Sequence, residues 1–271
     1  MPLTLTLHTP PAVPLEADVL TPERLAGLGQ REIEALEVWH GHRRSRVGDF
    51  FRVSGRGADD VRLEGELSRV KFVGDGMSAG RLVVSGSVGM HVGARMRGGE
   101  ILVEGDAGDW AGAEMAGGLL VIRGAAGHCL GSAYPGRRAG MHGGEILVHG
   151  DAGDRVGAGL RRGLVAIGGR AGDHAGLNML AGTILALGGV GAHPGANMRR
   201  GSIVSMVRAT PLPTFTFACA YRPLFLALCL RRLEALGWRF SREQRHGRYA
   251  RWCGDGLELR RGELLILEAQ P

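Results

Sequence analysis

Two consecutive 19-residue segments decide the fold: GRLVVSGSVGMHVGARMRG at residues 80–98 and GEILVEGDAGDWAGAEMAG at residues 99–117. Each begins with Gly, continues with a run rich in Val, Ile and Leu, and has further glycines at offsets +6, +9 and +13, then Met at +16. The pattern recurs along the middle of the chain, with one interval of 26 residues where seven residues are inserted. Its leading glycines are Gly80, Gly99, Gly118, Gly144, Gly163, Gly182 and Gly201.

The repeat predicts strands rather than helices. Nineteen residues are too few for the helix pairs of ankyrin or tetratricopeptide arrays, and each glycine would cost a helix roughly 1 kcal/mol. Short apolar runs such as Ile101-Leu102-Val103 indicate strands separated by tight, glycine-rich corners. We expect an all-β chain that forms a single-stranded right-handed parallel β-helix, with 19 residues per rung and six to seven rungs.

The ends of the chain predict a small cap and an extension. We assign an N-terminal cap to residues 1–60, the β-helix to 61–208 and an Arg-rich α+β extension, a helix plus a hairpin, to 209–271. The predicted elements are a helix start at Thr21-Pro22, helical residues 30–36, a strand at 47–53, a helix from Pro223 to Gly237, and strands at 249–252, 257–260 and 264–267.

The repeat also predicts which side chains are interior. Positions +2 and +4 share one face by strand alternation, and the Met-rich +16 position fills the interior from another corner. Position +3 is apolar too, which indicates that both faces of the sheet are covered. The cover is either the chain's own C-terminal segment, with the helix from Pro223 as the best candidate, or another protein. The +3 residues are Val83, Leu102, Val121, Leu147, Ala166, Leu185 and Val204.

Composition excludes several classes of protein. Glycine makes up 47 of 271 residues, but 44% hydrophobic and 22% charged residues are ordinary globular values, unlike collagen or a disordered chain. No apolar run is long enough to cross a bilayer, and the first residues lack a signal-peptide pattern, so we expect a cytoplasmic protein without membrane contact. The four cysteines stand too far apart for a disulfide framework, a zinc ribbon or an iron–sulfur cluster.

The sequence contains no recognised catalytic motif, and we assign no catalytic, cofactor-binding or metal-binding residue. The +11 position is polar or aromatic in six repeats, and we interpret it as one surface corner rather than as a metal site, although His174 and His193 have Asp173 nearby. The six residues are His91, Trp110, Cys129, Arg155, His174 and His193. The acidic residues of the repeat are predicted to cap turns. They are Asp106, Asp109, Asp151 and Asp154.

Two features indicate interaction surfaces. The seven inserted residues lie within 131–141, and insertions in solenoid repeats are common on the binding face. Residues 199–271 hold 13 Arg against six acidic residues, a net charge of +7. Without interleaved aromatic residues or a known module, this charge does not predict nucleic-acid binding. Solvated surface charge is the favoured interpretation, and contact with an acidic protein surface or a polyanionic cofactor tail is the alternative. The interface candidates are Leu102, Val121, Leu147, Tyr134, Arg137, Arg138, Arg242, Arg245, Arg248 and Arg251.

Several segments carry a resemblance to a known family. Residues 89–101 and 108–118, followed by Ala133-Tyr134-Pro135-Gly136 and Gly140-Met141-His142-Gly143-Gly144, resemble the C subunit of formylmethanofuran dehydrogenase. The same pattern is similar to the C-terminal β-helix domain of the glutamate synthase large subunit. The resemblance covers roughly residues 20 to 210 and includes the insertion.

The resemblance implies a non-catalytic scaffold subunit. Its implied partners are an amidohydrolase-like A subunit, the B subunit, and the D subunit, a formyltransferase, with zinc and a methanofuran-type carrier on those partner chains. One version of the complex is a tungsten or molybdenum dehydrogenase. The other is a formyltransferase/hydrolase, which passes formyl from tetrahydromethanopterin to a methanofuran-type carrier and hydrolyses it to formate.

The basic residues favour the bacterial formyltransferase/hydrolase complex, because 32 Arg against a single Lys indicate a GC-rich genome. The alternatives are the C subunit of the dehydrogenase, a free-standing β-helix carbohydrate-active enzyme, or a separate glutamate synthase β-helix domain.

Overall fold

The computed structural model describes residues 2–57 and 59–268, and these contain 17 strands and five helices. The strands are β1 (Leu3–Leu7), β2 (Leu15–Glu16), β3 (Glu37–His40), β4 (Arg43–Arg46), β5 (Phe51–Ser54), β6 (Asp60–Glu64), β7 (Val70–Lys71), β8 (Arg81–Ser85), β9 (Glu100–Val103), β10 (Leu119–Ile122), β11 (His142–Val148), β12 (Arg162–Ile167), β13 (Thr183–Ala186), β14 (Arg200–Ser205), β15 (Thr216–Tyr221), β16 (Tyr249–Gly254) and β17 (Arg261–Leu267). The helices are α1 (Pro22–Leu25), α2 (Gln30–Glu34), α3 (Val47–Phe50), α4 (Leu224–Ala235) and α5 (Arg242–His246).

The repeat forms a large and mostly parallel sheet. Strands β6 and β8 to β14 pair in parallel in chain order, with one strand from each repeat. Leu120 pairs with Ile101 on one side and with Ile146 on the other, so the 26-residue interval joins the sheet without a change of register at these positions. The prediction of a mostly β chain with a parallel sheet is confirmed.

A second parallel ladder accompanies the sheet. It consists of single-residue bridges between successive repeats, so each repeat contacts its neighbours at two separate points. The bridged residues are Leu67, Val88, Ala107, Ala126, Ala152, Ala171 and Val190.

Two additional segments extend the repeat sheet at its ends. At the C-terminal end, β17 pairs in parallel with β14, and β16 and β15 follow in antiparallel order. At the N-terminal end, β1 pairs in parallel with β6 and antiparallel with β5. A separate four-stranded sheet has the order β4-β3-β2-β7.

The leading glycine of each repeat lies against the backbone of the repeat before it. Gly118 has a φ of +87°, and a Cβ built there would lie 2.8 Å from the carbonyl oxygen of Gly99. Both the left-handed conformation and the backbone contact exclude an ordinary side chain. The position therefore requires glycine for two independent reasons.

The predicted interior is confirmed. The side chains at +2, +4 and +16 belong to one buried cluster that runs the length of the repeat. The methionines at +16 are completely buried, as expected of a flexible side chain that fills a core. They are Met77, Met96, Met115, Met141, Met179 and Met198.

Helix α4 covers the outer face of the sheet. Its buried residues Leu226, Leu230 and Leu233 belong to one cluster with the +3 residues of β10 to β14. The Arg232 guanidinium makes three hydrogen bonds of 2.8 to 3.1 Å to the Glu145 carboxylate on β11. Of the two predicted covers, the chain's own C-terminal helix is therefore the one present, and the predicted helix from Pro223 is confirmed.

Two short strand predictions are wrong. The strand predicted at residues 47–53 is divided, since Val47–Phe50 forms α3 and only the following residues form β5. The Asp49 carboxylate accepts a 2.8 Å hydrogen bond from the Arg46 backbone N–H, which caps the helical turn. The one-turn helix buries Val47 and Phe50 together.

Residues 257–260 form a turn instead of the expected strand. The buried Asp255 carboxylate accepts the Leu257 N–H at 3.0 Å, and the Asp255 carbonyl accepts the Glu258 N–H at 3.1 Å. Leu257 and Leu259 are left 75% and 55% exposed. Short-range hydrogen bonds to Asp255 therefore favour a turn over the strand that the apolar residues at 257 and 259 predicted.

A matched pair of glycine substitutions tests the backbone contact between repeats. Gly118→Ala and Gly136→Ala replace glycines with φ of +87° and +84°, but only Gly118 has neighbouring atoms within 4 Å. Both variants carry the left-handed strain, and we expect the steric clash to cost Gly118→Ala about 1 to 3 kcal/mol more. Chemical denaturation measures the difference, and equal losses of stability would contradict the contact.

A second pair tests the cover provided by α4. Leu233 is completely buried and Leu228 is 66% exposed on the same helix. We expect Leu233→Ala to lose about 2 to 5 kcal/mol of unfolding free energy and Leu228→Ala to change it by less than about 0.5 kcal/mol. Denaturation of the isolated chain checks both values, and a neutral Leu233→Ala would show that α4 does not stabilise the fold.

Candidate functional site

The inserted loop, residues 131–141, lies back on the repeat through an aromatic stack. The Tyr134 ring stacks on Trp110 with ring centroids 5.1 Å apart, and its hydroxyl lies 2.8 Å from Nδ1 of His91. His91 in turn stacks on Phe72 at 4.4 Å. The stack therefore joins three successive repeats and the loop.

The stacked residues share one backbone position. Phe72, His91 and Trp110 all occupy the +11 position and have φ between +60° and +66°. The left-handed turn at each repeat directs successive side chains into one column. Sequence reasoning placed His91 and Trp110 at a surface corner but missed Phe72, which continuing the +11 position one repeat earlier would have found.

Burial keeps the hydrogen-bonded pair neutral. Partial burial raises the pKa of Tyr134 to about 12, since the charged phenolate loses hydration. Burial, with a smaller effect of Lys71, lowers the pKa of His91 below its ordinary value. At neutral pH the contact therefore joins an uncharged phenol and an uncharged imidazole.

A carboxylate fixes the base of the loop. Glu114 Oε1 accepts a 3.3 Å hydrogen bond from the Tyr134 backbone N–H and lies 3.9 Å from Nε of Arg137. Arg95, close to the stack, forms an ion pair with Asp75 on the preceding repeat. The aromatic stack and the contacts of Tyr134 and Arg137 with Glu114 therefore hold the loop, together with backbone hydrogen bonds of 2.9 Å from Ala133 to Ala158 and from Gly140 to Gly159.

A groove of about 540 Å³ separates the loop from later repeats. The guanidiniums of Arg137, Arg138 and Arg199 line it, and Arg199 forms a 3.2 Å ion pair with Glu258. Glu258 also lines the groove, so three arginines against one glutamate leave the lining positively charged. The remaining lining residues are Ala133, Tyr134, Pro135, Gly136, Ala158, Gly159, Asn178, Leu180 and Asn197.

The structure separates the interface candidates into three places. Val121 and Leu147 are buried in the cluster beneath α4, while Leu102 is partly exposed at the margin of that cluster. Tyr134, Arg137 and Arg138 line the groove beside the inserted loop, as described above. The four tail arginines lie on α5, on β16 and between them. The role of the ten candidates as interface residues stays a prediction.

Three of the four tail arginines are paired within the chain. Arg245 lies 2.9 Å from Glu234, Arg251 lies 2.7 Å from Glu263, and Arg248 donates a 2.8 Å hydrogen bond to the Ala220 carbonyl. Arg242 is exposed and has no ion-pair partner among residues 2–57 and 59–268. Three of these four arginines therefore have partners within the tail itself.

The acidic residues of the repeat cap turns, as predicted. Asp109 Oδ1 accepts the backbone N–H of His128 at 2.7 Å, and Asp154 Oδ1 accepts that of Asp173 at 2.9 Å. Asp106 and Asp151 make equivalent bonds to the next repeat. Each carboxylate thus fixes the corner of the repeat that follows it.

The described part of the chain contains no group of three or more His, Cys, Asp or Glu residues placed to hold a metal ion. The rings of His174 and His193 stack with centroids 5.0 Å apart. No helix within these residues is sufficiently long and apolar to cross a bilayer.

The fold and the inserted loop place the chain among glycine-repeat proteins with a long parallel sheet, and comparisons narrow this class. No family model matches. The chain aligns with a chain of the formyltransferase/hydrolase complex of Methylorubrum extorquens, solved in complex with methylofuran. The TM-score is 0.91 at 34% identity, covering 98% of this chain and 100% of that one.

Two curated relatives give the same assignment over a shorter segment. The C subunit of the molybdenum-containing formylmethanofuran dehydrogenase 1 of Methanosarcina barkeri is 42% identical over 85 residues, which are 30% of this chain and 28% of that protein. The C subunit of the tungsten-containing dehydrogenase 2 of Methanothermobacter wolfeii is 41% identical over 95 residues, or 33% and 35%. The chain belongs to the C-subunit family that formylmethanofuran dehydrogenase shares with the formyltransferase/hydrolase complex.

The Tyr134 contact predicts a dependence of stability on alkaline pH. The folded-state pKa of about 12 lies above the unfolded value near 10, so Tyr134 destabilises the folded state progressively as pH rises from 10 to 12. At pH 7, Tyr134→Phe should lose about 1 kcal/mol with the hydrogen bond to His91.

This difference between wild type and Tyr134→Phe should shrink above pH 10, because only the wild type carries the ionisable group at this position. Chemical denaturation at pH 7, 10 and 11.5 measures it. A constant difference across that range would contradict the burial of the phenol.

Proposed function

We propose that this chain is the non-catalytic scaffold subunit of a formyltransferase/hydrolase complex of one-carbon metabolism. The observation that carries the proposal is the end-to-end match to a chain of such a complex, at 34% identity and a TM-score of 0.91. The complex would pass a formyl group from tetrahydromethanopterin to a methanofuran-type carrier and hydrolyse it to formate. The carrier and the zinc ion would be bound by partner subunits.

The architecture proposed for this role is a right-handed parallel β-helix at residues 61–208. Two parallel ladders that advance by one repeat at a time support it. The proposal assigns residues 1–60 to a cap and 209–271 to an extension that covers one face. A stack of this kind is rigid because each repeat is hydrogen-bonded to both neighbours.

The partners proposed are the amidohydrolase-like A subunit, the B subunit, and the formyltransferase, which is the D subunit. The inserted loop is a suitable contact surface, because its aromatic stack fixes the loop while Arg137 and Arg138 remain exposed. A loop fixed in advance loses little conformational entropy on binding. Four free cysteines are consistent with a reducing cytoplasm as its location.

A second candidate is the corresponding subunit of a tungsten or molybdenum formylmethanofuran dehydrogenase. The identities of 41 to 42% with subunits of that enzyme support it. These matches cover only about a third of this chain, whereas the match to the formyltransferase/hydrolase complex covers 98% of it. The hydrolytic complex is therefore preferred.

Co-expression tests the scaffold role. The three proposed partners from the same organism are produced with and without this chain, and their assembly and formyl transfer are measured. We expect the partners to copurify and transfer formyl only when this chain is present, while the chain alone has no formyltransferase or hydrolase activity. Assembly of the three partners into an active complex without this chain would contradict the proposal.

A further inference from the structure

Helix α4 has an apolar face on both of its sides. Its inner face packs on the sheet through Leu226, Leu230 and Leu233. On its outer face, Leu224 and Leu228 are 86% and 66% exposed. The first turns of α4 are therefore apolar on both sides, whereas a surface helix usually presents polar residues to solvent opposite its buried face.

The two exposed leucines form one continuous strip. They are four positions apart, which places them on the same side of the helix one turn apart, and the exposed Ala227 lies beside them. The side chain of Ala227 is small, and both leucines are largely exposed. The strip therefore fits a groove that accepts two anchors spaced by one helical turn.

Positive charge borders the strip. Arg222, just before the helix, and Arg231, one turn beyond Leu228, are both exposed. Neither has an ion-pair partner among the residues that the structure describes, and no acidic residue occurs between them in the sequence. In contrast, Arg232 is bound to Glu145 beneath the helix. The charge at both ends of the strip thus remains available for a partner.

The helix is held rigidly in place. Three buried leucines fix its inner face, and Arg232 makes hydrogen bonds to both carboxylate oxygens of Glu145. Binding at the outer face would therefore require little rearrangement of the helix, and little conformational entropy would be lost there.

We propose that the outer face of α4 docks into an apolar groove with an acidic rim on another subunit of the complex. This inference depends on the proposed function, because it requires a complex. Charge complementarity identifies the occupant. A second copy of this chain would bring the same arginines together across a two-fold interface, and such like-charge contacts are unfavourable. An acidic rim would instead pair with Arg222 and Arg231.

Two matched double variants test the docking face. Leu224→Glu/Leu228→Glu changes the strip, and Leu257→Glu/Leu259→Glu changes two leucines of similar exposure in the turn after β16. Each variant is tagged and co-expressed with the three proposed partners, and the copurified partners are quantified by mass spectrometry. We expect the amount of at least one copurified partner to fall about tenfold or more with the first variant, relative to the wild-type chain. The second variant should retain all three partners.

Two further measurements separate folding and charge from docking. The isolated variants should keep the melting temperature and monomeric mass of the wild type, because all four leucines are exposed. Arg231→Glu should weaken retention of the same partner, with the largest effect at low salt.

Retention of every partner by Leu224→Glu/Leu228→Glu would overturn the inference and leave the scaffold role intact. Unchanged retention by Arg231→Glu would overturn the acidic rim. A wild-type chain that dimerises through the leucine strip would identify a second copy as the occupant and also overturn it. If the wild-type chain retains none of the three partners, the proposed function itself fails.

Discussion

The backbone contact between successive repeats is the constraint on which the rest of the molecule depends. The carbonyl oxygen of Gly99 accepts the Leu119 N–H at 3.0 Å, and the carbonyl oxygen of Gly118 accepts the Glu145 N–H at the same distance. This contact leaves no space for a Cβ at the leading glycine. Every repeat must therefore return to the same register, and extra residues can leave the stack only as a loop.

The contact also explains the arrangement of the side chains. Because the register is fixed, residues at one offset form columns along the stack, such as the interior methionines and the stacked Phe72, His91 and Trp110. The Asp carboxylates add hydrogen bonds from one repeat to the next. The inserted loop is ordered through Tyr134 because the +11 column offers a continuous aromatic surface.

Features that repeat could be predicted from the sequence, because one position samples the same environment many times. The glycine positions, the methionine core and the need for a cover over the +3 residues follow from this regularity. Features that occur once could not. Such features depend on individual contacts that no repeating pattern predicts. They include the turn around Asp255, the α3 turn after Arg46 and the Arg245–Glu234 ion pair. The contact of Tyr134 with His91 joins residues 43 positions apart, and its partner depends on where the loop returns.

The proposed scaffold role requires a chain that holds a fixed shape, and the hydrogen-bonded stack of repeats is consistent with this. Two surfaces are held in place by the chain's own contacts, the inserted loop and the outer face of α4, and we propose both as contacts for other subunits. Native mass spectrometry of the protein purified from the cells that produce it tests this claim most directly. The account predicts a mass that contains this chain together with the other subunits of a formyltransferase/hydrolase complex. A mass equal to this chain alone would contradict it.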